Sequence, residues 1–217
     1  MPVDRIYDSS DSVWGFWRIL EDEKSLAAEV PSEGISASVS NPLKRLEFLA
    51  GRALIKSLLH HWNLPFEGLR KDPFGKPYLA GSEMQISLSH SFPFVAAVLH
   101  RNKNVGIDLE QPKSKLLRIA PRVLSKAELS DAGENIVKHC IYWCAKEAMI
   151  KIYGKKDLVF SKNLFISPFL LGPSGYLTGR ILANNTETAI PLEYIVTDNF
   201  VVVVSADKLD HSNHYSV

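Results

Sequence analysis

Asp108 and Glu110 stand two residues apart in Val105-Gly106-Ile107-Asp108-Leu109-Glu110, so on a strand both carboxylates point to one face and can share a single hard cation. A second group lies about a helix further on, in Trp143-Cys144-Ala145-Lys146-Glu147-Ala148-Met149-Ile150-Lys151. Glu147 and Lys151 are four residues apart, which stacks them on one helical face, with Lys146 one step round. Carboxylates beside lysines suit a site that holds a divalent metal and a phosphorylated ligand together.

Each group also has an ordinary explanation. An isolated Asp-x-Glu pair can sit on the surface at a strand end, and a solvated Glu-to-Lys pair on a helix contributes only about 0.2–0.5 kcal/mol. The neighbours argue for more. Val105, Ile107 and Leu109 claim the opposite strand face for the core, while Ile141, Trp143, Ala145, Ala148 and Ile150 make the helix apolar over much of its circumference. Charges on covered faces need compensation. Ser89-His90-Ser91 closes another strand ahead of Phe92-Pro93, where a histidine flanked by hydroxyls is either a surface residue or a phosphate contact. In Gly75-Lys76-Pro77 a rigid turn would hold the lysine as a fixed point charge.

The elements that must position these residues follow from periodicity and caps. Asn41-Pro42 opens a long helix with an apolar stripe of Leu43, Leu46, Leu49, Ala50, Ala53, Leu54 and Leu58, ending near His61. Strands are predicted from Ser12 to Leu20, Gln85 to His90, Phe94 to His100 and Val105 to Glu110, with a short extended piece at Tyr78-Leu79. Ser125 and Glu128 have capping-box spacing, and Ile136 to Tyr153 reads as a helix stopped by Gly154. Four strands are predicted beyond it, Leu164 to Ser167, Tyr176 to Leu182, Leu192 to Thr197 and Phe200 to Ser205.

Phe94 to His100 and Phe200 to Ala206 echo each other, each after a strand and a polar turn, and each half has one long helix ahead of its strand pair. The expected fold is therefore α+β, two similar halves side by side, residues 1–104 and 105–217. The carboxylate strand falls at the junction, with a ligand cleft between the halves. Chance likeness between apolar strands is the competing explanation.

At 217 residues, 46% hydrophobic and 23% charged, the chain can bury a full core. A net charge of +1 argues against a nucleic-acid binder and leaves anion recognition to local groups. No run of about eighteen apolar residues and no basic-then-apolar start is present, so the expectation is a cytoplasmic protein without membrane attachment. Cys140 and Cys144, four apart on a helical pattern, read as small buried residues rather than a disulfide or a thiolate metal site.

The order Phe74-Gly-Lys-Pro77, Ser87-Leu-Ser-His-Ser91, Gly106-Ile-Asp-Leu-Glu110 and Trp143-x-x-Lys-Glu-Ala-x-x-Lys151 resembles the 4'-phosphopantetheinyl transferases, specifically the monomeric surfactin-synthetase-activator type. The resemblance runs from about Leu43 to Phe165. It implies a pseudo-twofold α+β fold with coenzyme A as substrate in the cleft between halves. By motif position Asp108, Glu110 and Glu147 look like ligands of Mg²⁺, with Mn²⁺ the alternative ion. Lys151 looks like the residue that neutralises the pyrophosphate, and Lys76, Ser89, His90 and Lys146 resemble coenzyme contacts. Arg45 or Arg52 on the long helix corresponds to the family's arginine at the 3'-phosphate, the alignment leaving both open. One departure is visible: relatives often read Gly-Lys-Gly where this chain has Gly154-Lys155-Lys156, which changes the backbone freedom of that loop.

The implied reaction moves phosphopantetheine from coenzyme A to a serine of an apo acyl or peptidyl carrier protein, with Asp108, Glu147 and Lys151 as the catalytic set and Glu147, directly or through a bound water, as general base. Rival readings are a Mg²⁺-dependent hydrolase or nucleotidyl transferase, and a non-catalytic coenzyme A or carrier-binding module. No Gly-x-x-x-x-Gly-Lys loop supports the first rival, and the intact charged set argues against the second. Lys113, Lys115, Arg118 and Arg122, interleaved with Leu116, Leu117 and Ile119, form the expected docking surface for an acidic carrier helix. A basic amphipathic helix with a solvated face is the plainer alternative.

Overall fold

The computed structural model describes residues 5–31, 33–35, 39–73, 75–155 and 157–207. Phe74 of the first motif and Lys156 of the Gly-Lys-Lys stretch lie outside the described residues. In chain order the elements are β1 (Arg5–Asp8), β2 (Ser12–Arg18), α1 (Glu23–Glu29), α2 (Pro42–His61), β3 (Leu69–Lys71), β4 (Pro77–Leu79), β5 (Gln85–Ser91), β6 (Phe94–His100), β7 (Ile107–Glu110), α3 (Lys115–Val123), α4 (Lys126–Ala132), α5 (Ile136–Tyr153), α6 (Phe160–Asn163), β8 (Leu164–Ile166), β9 (Ser174–Ala183), β10 (Thr186–Val196) and β11 (Val201–Ser205).

The fold is α+β. One antiparallel sheet runs β1-β2-β6-β5, a second runs β7-β11-β10-β9-β8, and β3 pairs with β4 apart from both. Each large sheet carries one long helix, α2 on β2 and β6, and α5 on β7 and β11. The helix ends are where the side chains dictate. Asn41 caps α2 by accepting the Leu43 and Lys44 N–H groups, with Pro42 in the first turn. Ser125 and Glu128 form a reciprocal capping box on α4. Gly154 closes α5 in the left-handed region at φ +77°.

Strand alternation sorts the core into three parts. Val95, Ala97 and Leu99 of β6 meet Leu49, Leu54 and Leu58 of α2, and Val201 and Val203 of β11 meet Ile141, Ala145 and Met149 of α5. The other faces of the same strands meet between the sheets, where Trp14, Phe16, Phe94 and Phe200 pack with Ile107 and Leu109. The Phe200 ring lies 5.1 Å from Phe16 and 4.7 Å from Phe94, and each such buried side chain contributes roughly 1.5–3 kcal/mol.

This packing places the carboxylates. Ile107 and Leu109 occupy the core between sheets, so Asp108 and Glu110 emerge on the other face of β7. The register pairs Asp108 with Val203 and Glu110 with Val201, which puts both acids on the side of the sheet covered by α5. Cys140 and Cys144 are free and buried on that helix. Among the described residues no helix is long and apolar enough to cross a membrane.

Candidate active site

A Cβ at Gly106 would lie 2.0 Å from the Ala148 carbonyl oxygen, so the entry to β7 presses on the backbone of α5 as only glycine allows. That contact sets the acids of β7 against the charged positions of α5. Lys151 Nζ donates to Asp108 Oδ1 at 2.8 Å, to the Ile107 carbonyl at 2.8 Å and to the Leu88 carbonyl at 3.2 Å. The ammonium therefore joins α5 to both β7 and β5. Asp108 Oδ1 also accepts Ser89 Oγ at 2.7 Å.

Glu110 is held differently. Its Oε1 accepts Ser91 Oγ at 2.6 Å and the Gln111 N–H at 2.8 Å, and its Oε2 pairs with Lys115 at 2.7 Å. Burial works to raise this carboxyl, but the bonds from Lys115, Ser91 and Gln111 together hold it below the usual glutamate value. Glu147 moves the opposite way. Burial pushes its carboxyl up and the charge of Asp108 adds to the effect, with Lys151 opposing both.

Three carboxylates on one side of β7 and α5 make an all-oxygen donor set of the kind a hard divalent ion takes, so the residues fit Mg²⁺ in donor type and charge. Among the described residues, no group of three or more His, Cys, Asp or Glu side chains is already gathered closely enough to hold a metal. Lys151 and Lys115 instead sit on Asp108 and Glu110.

A cleft of about 320 Å³ opens beside this cluster, lined by Lys76, Pro77, Leu88, Ile150, Lys151 and Lys155 among others. Lys76 is delivered by a tight turn in which Gly75 has φ +87° and the Asp72 carboxylate accepts the Lys76 N–H at 2.8 Å. Its ammonium reaches Asn104 Oδ1 only at 3.5 Å, and burial lowers its pKa. Three lysines at the wall of one cleft, Lys76, Lys151 and Lys155, describe an anion site, and the apolar lining among them suits a ligand with an uncharged body.

His90 lies on the α2 side of β5, half-exposed, with Nδ1 3.3 Å from Glu47 Oε2. Burial lowers the imidazole pKa, opposed by the Glu47 charge. Glu47 is itself buried, paired with Lys44 at 2.6 Å and accepting the Phe92 N–H at 3.1 Å. Arg45 is paired with Glu23 of α1. Arg52 is paired with Glu33 at 2.6 Å and stacked over Phe48 at 3.3 Å. Neither arginine is among the residues lining the cleft.

One expectation is corrected. Lys146, offered by the motif as a coenzyme contact, is fully buried and its three hydrogens are taken by Glu128 Oε2 at 2.7 Å, the Val123 carbonyl at 3.0 Å and the Phe160 carbonyl at 3.3 Å. Glu128 also accepts the Ile166 N–H at 2.8 Å. The pair ties α4 and α5 to β8 and the ends of α3 and α6, on a different side of α5 from Asp108. The helical step from Glu147 back to Lys146 already implied such a divergence.

Sequence reasoning also missed partners that the site uses. Ser87 and Ser91 share a strand face with Ser89, and the period-two spacing of the three serines was the available signal. Lys115, read as part of a docking surface, is in addition the cation of Glu110.

The chain's similarity to known proteins agrees with the motif order. Residues 104–204 match the family model described as the 4'-phosphopantetheinyl transferase superfamily. The chain is 31% identical over 159 residues to the 4'-phosphopantetheinyl transferase HetI of Nostoc sp., covering 64% of this chain and 67% of that protein. It is 26% identical over 144 residues to the 4'-phosphopantetheinyl transferase AcpT of Salmonella typhimurium, covering 63% of this chain and 73% of that protein. Over a shorter stretch of 88 residues it is 34% identical to a 4'-phosphopantetheinyl transferase of Bacillus subtilis, 38% of this chain and 39% of the relative.

Proposed function

The chain belongs to the 4'-phosphopantetheinyl transferase superfamily, and from that membership we propose that it moves the 4'-phosphopantetheine group of coenzyme A onto a serine hydroxyl of an apo acyl or peptidyl carrier protein. The observation that carries the reading is Lys151, which touches Asp108 on one side and lines the Lys76 cleft on the other. Carboxylates and an anion-binding cleft thus adjoin through one ammonium.

In the proposed reaction the carrier serine oxygen bonds to the β-phosphorus of coenzyme A. The bridging P–O bond breaks and adenosine 3',5'-bisphosphate leaves. Such transfers depend on positioning and charge neutralisation more than on covalent help. Lys76 and Lys151 bind the phosphates. Glu147, directly or through a bound water, takes the serine proton, a role suited to a carboxyl whose pKa burial raises. Lys151 balances the charge that builds on the departing phosphate oxygen. Asp108, Glu110 and Glu147 would hold Mg²⁺, which when bound supplies charge neutralisation at the pyrophosphate.

The carrier would meet α3. Leu116 is buried against α5, while Leu117 is 39% exposed beside the exposed Lys113, Arg118 and Arg122. An apolar contact rimmed by cations fits an acidic helix. We further infer that a single chain suffices, since one chain supplies every residue named, and that the two halves divide at residues 104 and 105, where the chain passes from the first sheet to the second.

Incubation with coenzyme A, Mg²⁺ and a panel of apo carriers from fatty-acid, polyketide and peptide synthesis, followed by intact-protein mass spectrometry, tests the reading. A phosphopantetheine adduct on a carrier serine is expected. Consumption of coenzyme A with no adduct on any carrier would favour a hydrolase instead.

A further inference from the structure

β5 and β7 are the facing edges of the two sheets, and no backbone ladder joins them. Serine hydroxyls do. Ser87, Ser89 and Ser91 alternate along β5 and share the face of Val98, Ala96 and Phe94, turned toward the core between sheets. Ser87 Oγ accepts the Ile107 N–H at 3.2 Å, and Ser89 Oγ accepts the Leu109 N–H at 3.2 Å. Ser91 Oγ accepts from Gln111 Nε2 at 3.1 Å, and that amide also donates to the Ser91 and Phe92 carbonyls at 3.2 and 2.8 Å.

These contacts fix where the hydroxyl protons go. An N–H can only donate and a carboxylate can only accept, so Ser89 directs its proton to Asp108 Oδ1 at 2.7 Å and Ser91 directs its own to Glu110 Oε1 at 2.6 Å. Ser87 differs in one respect: its bond reaches backbone alone. Two of the three seam serines therefore hold a carboxylate, and the third joins the edges without touching one.

We propose that Ser89 and Ser91 are positioning residues of the metal site, restraining Asp108 and Glu110 so that a divalent cation, in place of the lysines, meets carboxylates already tethered to β5. The inference deepens the proposed function and rests on it. Partners outside the first coordination shell set ligand orientation, and their loss costs roughly 10- to 100-fold in metal affinity. The inference also reassigns Ser89, whose motif position suggested a coenzyme contact: its hydroxyl is engaged by Leu109 and Asp108.

The test compares wild type with Ser89→Ala, Ser91→Ala, Ser91→Thr and Ser87→Ala. Mg²⁺ binding to the coenzyme A complex is measured by calorimetry, metal-free coenzyme A binding by the same method, and carrier labelling as a function of Mg²⁺. Ser89→Ala and Ser91→Ala should weaken Mg²⁺ binding about tenfold, with metal-free coenzyme A affinity unchanged and the labelling rate largely restored at saturating metal. Ser91→Thr, which keeps the hydroxyl, should restore metal affinity. Ser87→Ala should lower the melting temperature without moving metal affinity. Equal metal affinity in all variants overturns the inference, as does a loss of metal-free coenzyme A binding in Ser89→Ala with metal affinity intact. A wild type that neither binds Mg²⁺ nor labels any carrier instead overturns the functional reading, and this inference with it.

Discussion

Lys151 Nζ lies 2.8 Å from Asp108 Oδ1, and the same ammonium spans the gap between β5 and β7 by donating to the Leu88 and Ile107 carbonyls. One side chain of α5 therefore balances the charge of the site and closes the edge where the two sheets meet. Both tasks leave it at the wall of the cleft. Substitution should reveal the two roles separately.

Lys151→Met keeps the apolar stem and removes the charge. Loss of a cation placed at the developing charge of a transition state costs on the order of 100- to 1,000-fold in rate, so carrier labelling at saturating coenzyme A should fall by about that much. The melting temperature should fall too, because two carbonyls and a carboxylate lose a donor. A variant with a lower melting temperature but an unchanged rate would leave Lys151 with the seam alone.

Asp108→Ala should abolish Mg²⁺-dependent labelling while the protein stays folded. Lys151 would keep its two carbonyl partners, and Ser89 would keep the Leu109 N–H. Circular dichroism with mass spectrometry of the carrier checks both halves of this expectation. Near wild-type labelling would remove Asp108 from the metal site.

Which of these features the sequence exposed depends on how local their causes are. The α2 and α5 boundaries were legible because Asn41, Pro42 and Gly154 act within a turn of themselves. The shared face of Asp108 and Glu110 was legible because strand period is fixed. Two short strands, β1 and β3, and the one-turn α6 were not anticipated, being too brief to show a period. α1 was missed as well, although Asp22 accepting the Ser25 N–H gave it a usable cap. The serine seam and the burial of Lys146 rest on contacts between distant segments, such as Ser91 with Glu110 and Lys146 with Glu128; periodicity puts the serines on one face and turns Lys146 away from Glu147, but it does not name those partners. Motif order gave Lys146 a ligand-facing role that packing denies.

Lys146→Met should act on stability. Removing one member of a buried pair leaves the other charge uncompensated, at a cost of about 3–5 kcal/mol. Glu128 would keep the Ser125 and Ile166 N–H groups but lose its cation. Chemical denaturation should show the loss, and the double variant Lys146→Met, Glu128→Gln should recover much of it. Coenzyme A affinity of the folded single variant should match wild type; a marked drop at full foldedness would return Lys146 to the coenzyme.

Glu147→Gln should separate stability from catalysis by pH. The folded protein holds the Glu147 carboxyl above its unfolded value, through burial and the charge of Asp108. Folding therefore favours the protonated form. The stability this group provides is complete below the unfolded glutamate pKa of about 4.3 and is lost as pH rises through the folded value. At pH 7.5, without metal, ionised Glu147 is a repulsive neighbour of Asp108, and the neutral amide relieves that repulsion. Melting in chelator should show Glu147→Gln more stable than wild type at pH 7.5, by about 2–4 °C for each kcal/mol relieved, with the difference shrinking toward pH 4. Adding Mg²⁺ and coenzyme A should reverse the ranking, since only wild type gains a third carboxylate ligand, and labelling by the variant should be lost. A Glu147→Gln protein that melts lower than wild type at both pH values would show that the carboxylate is held by favourable contacts, and would remove it from consideration as the base.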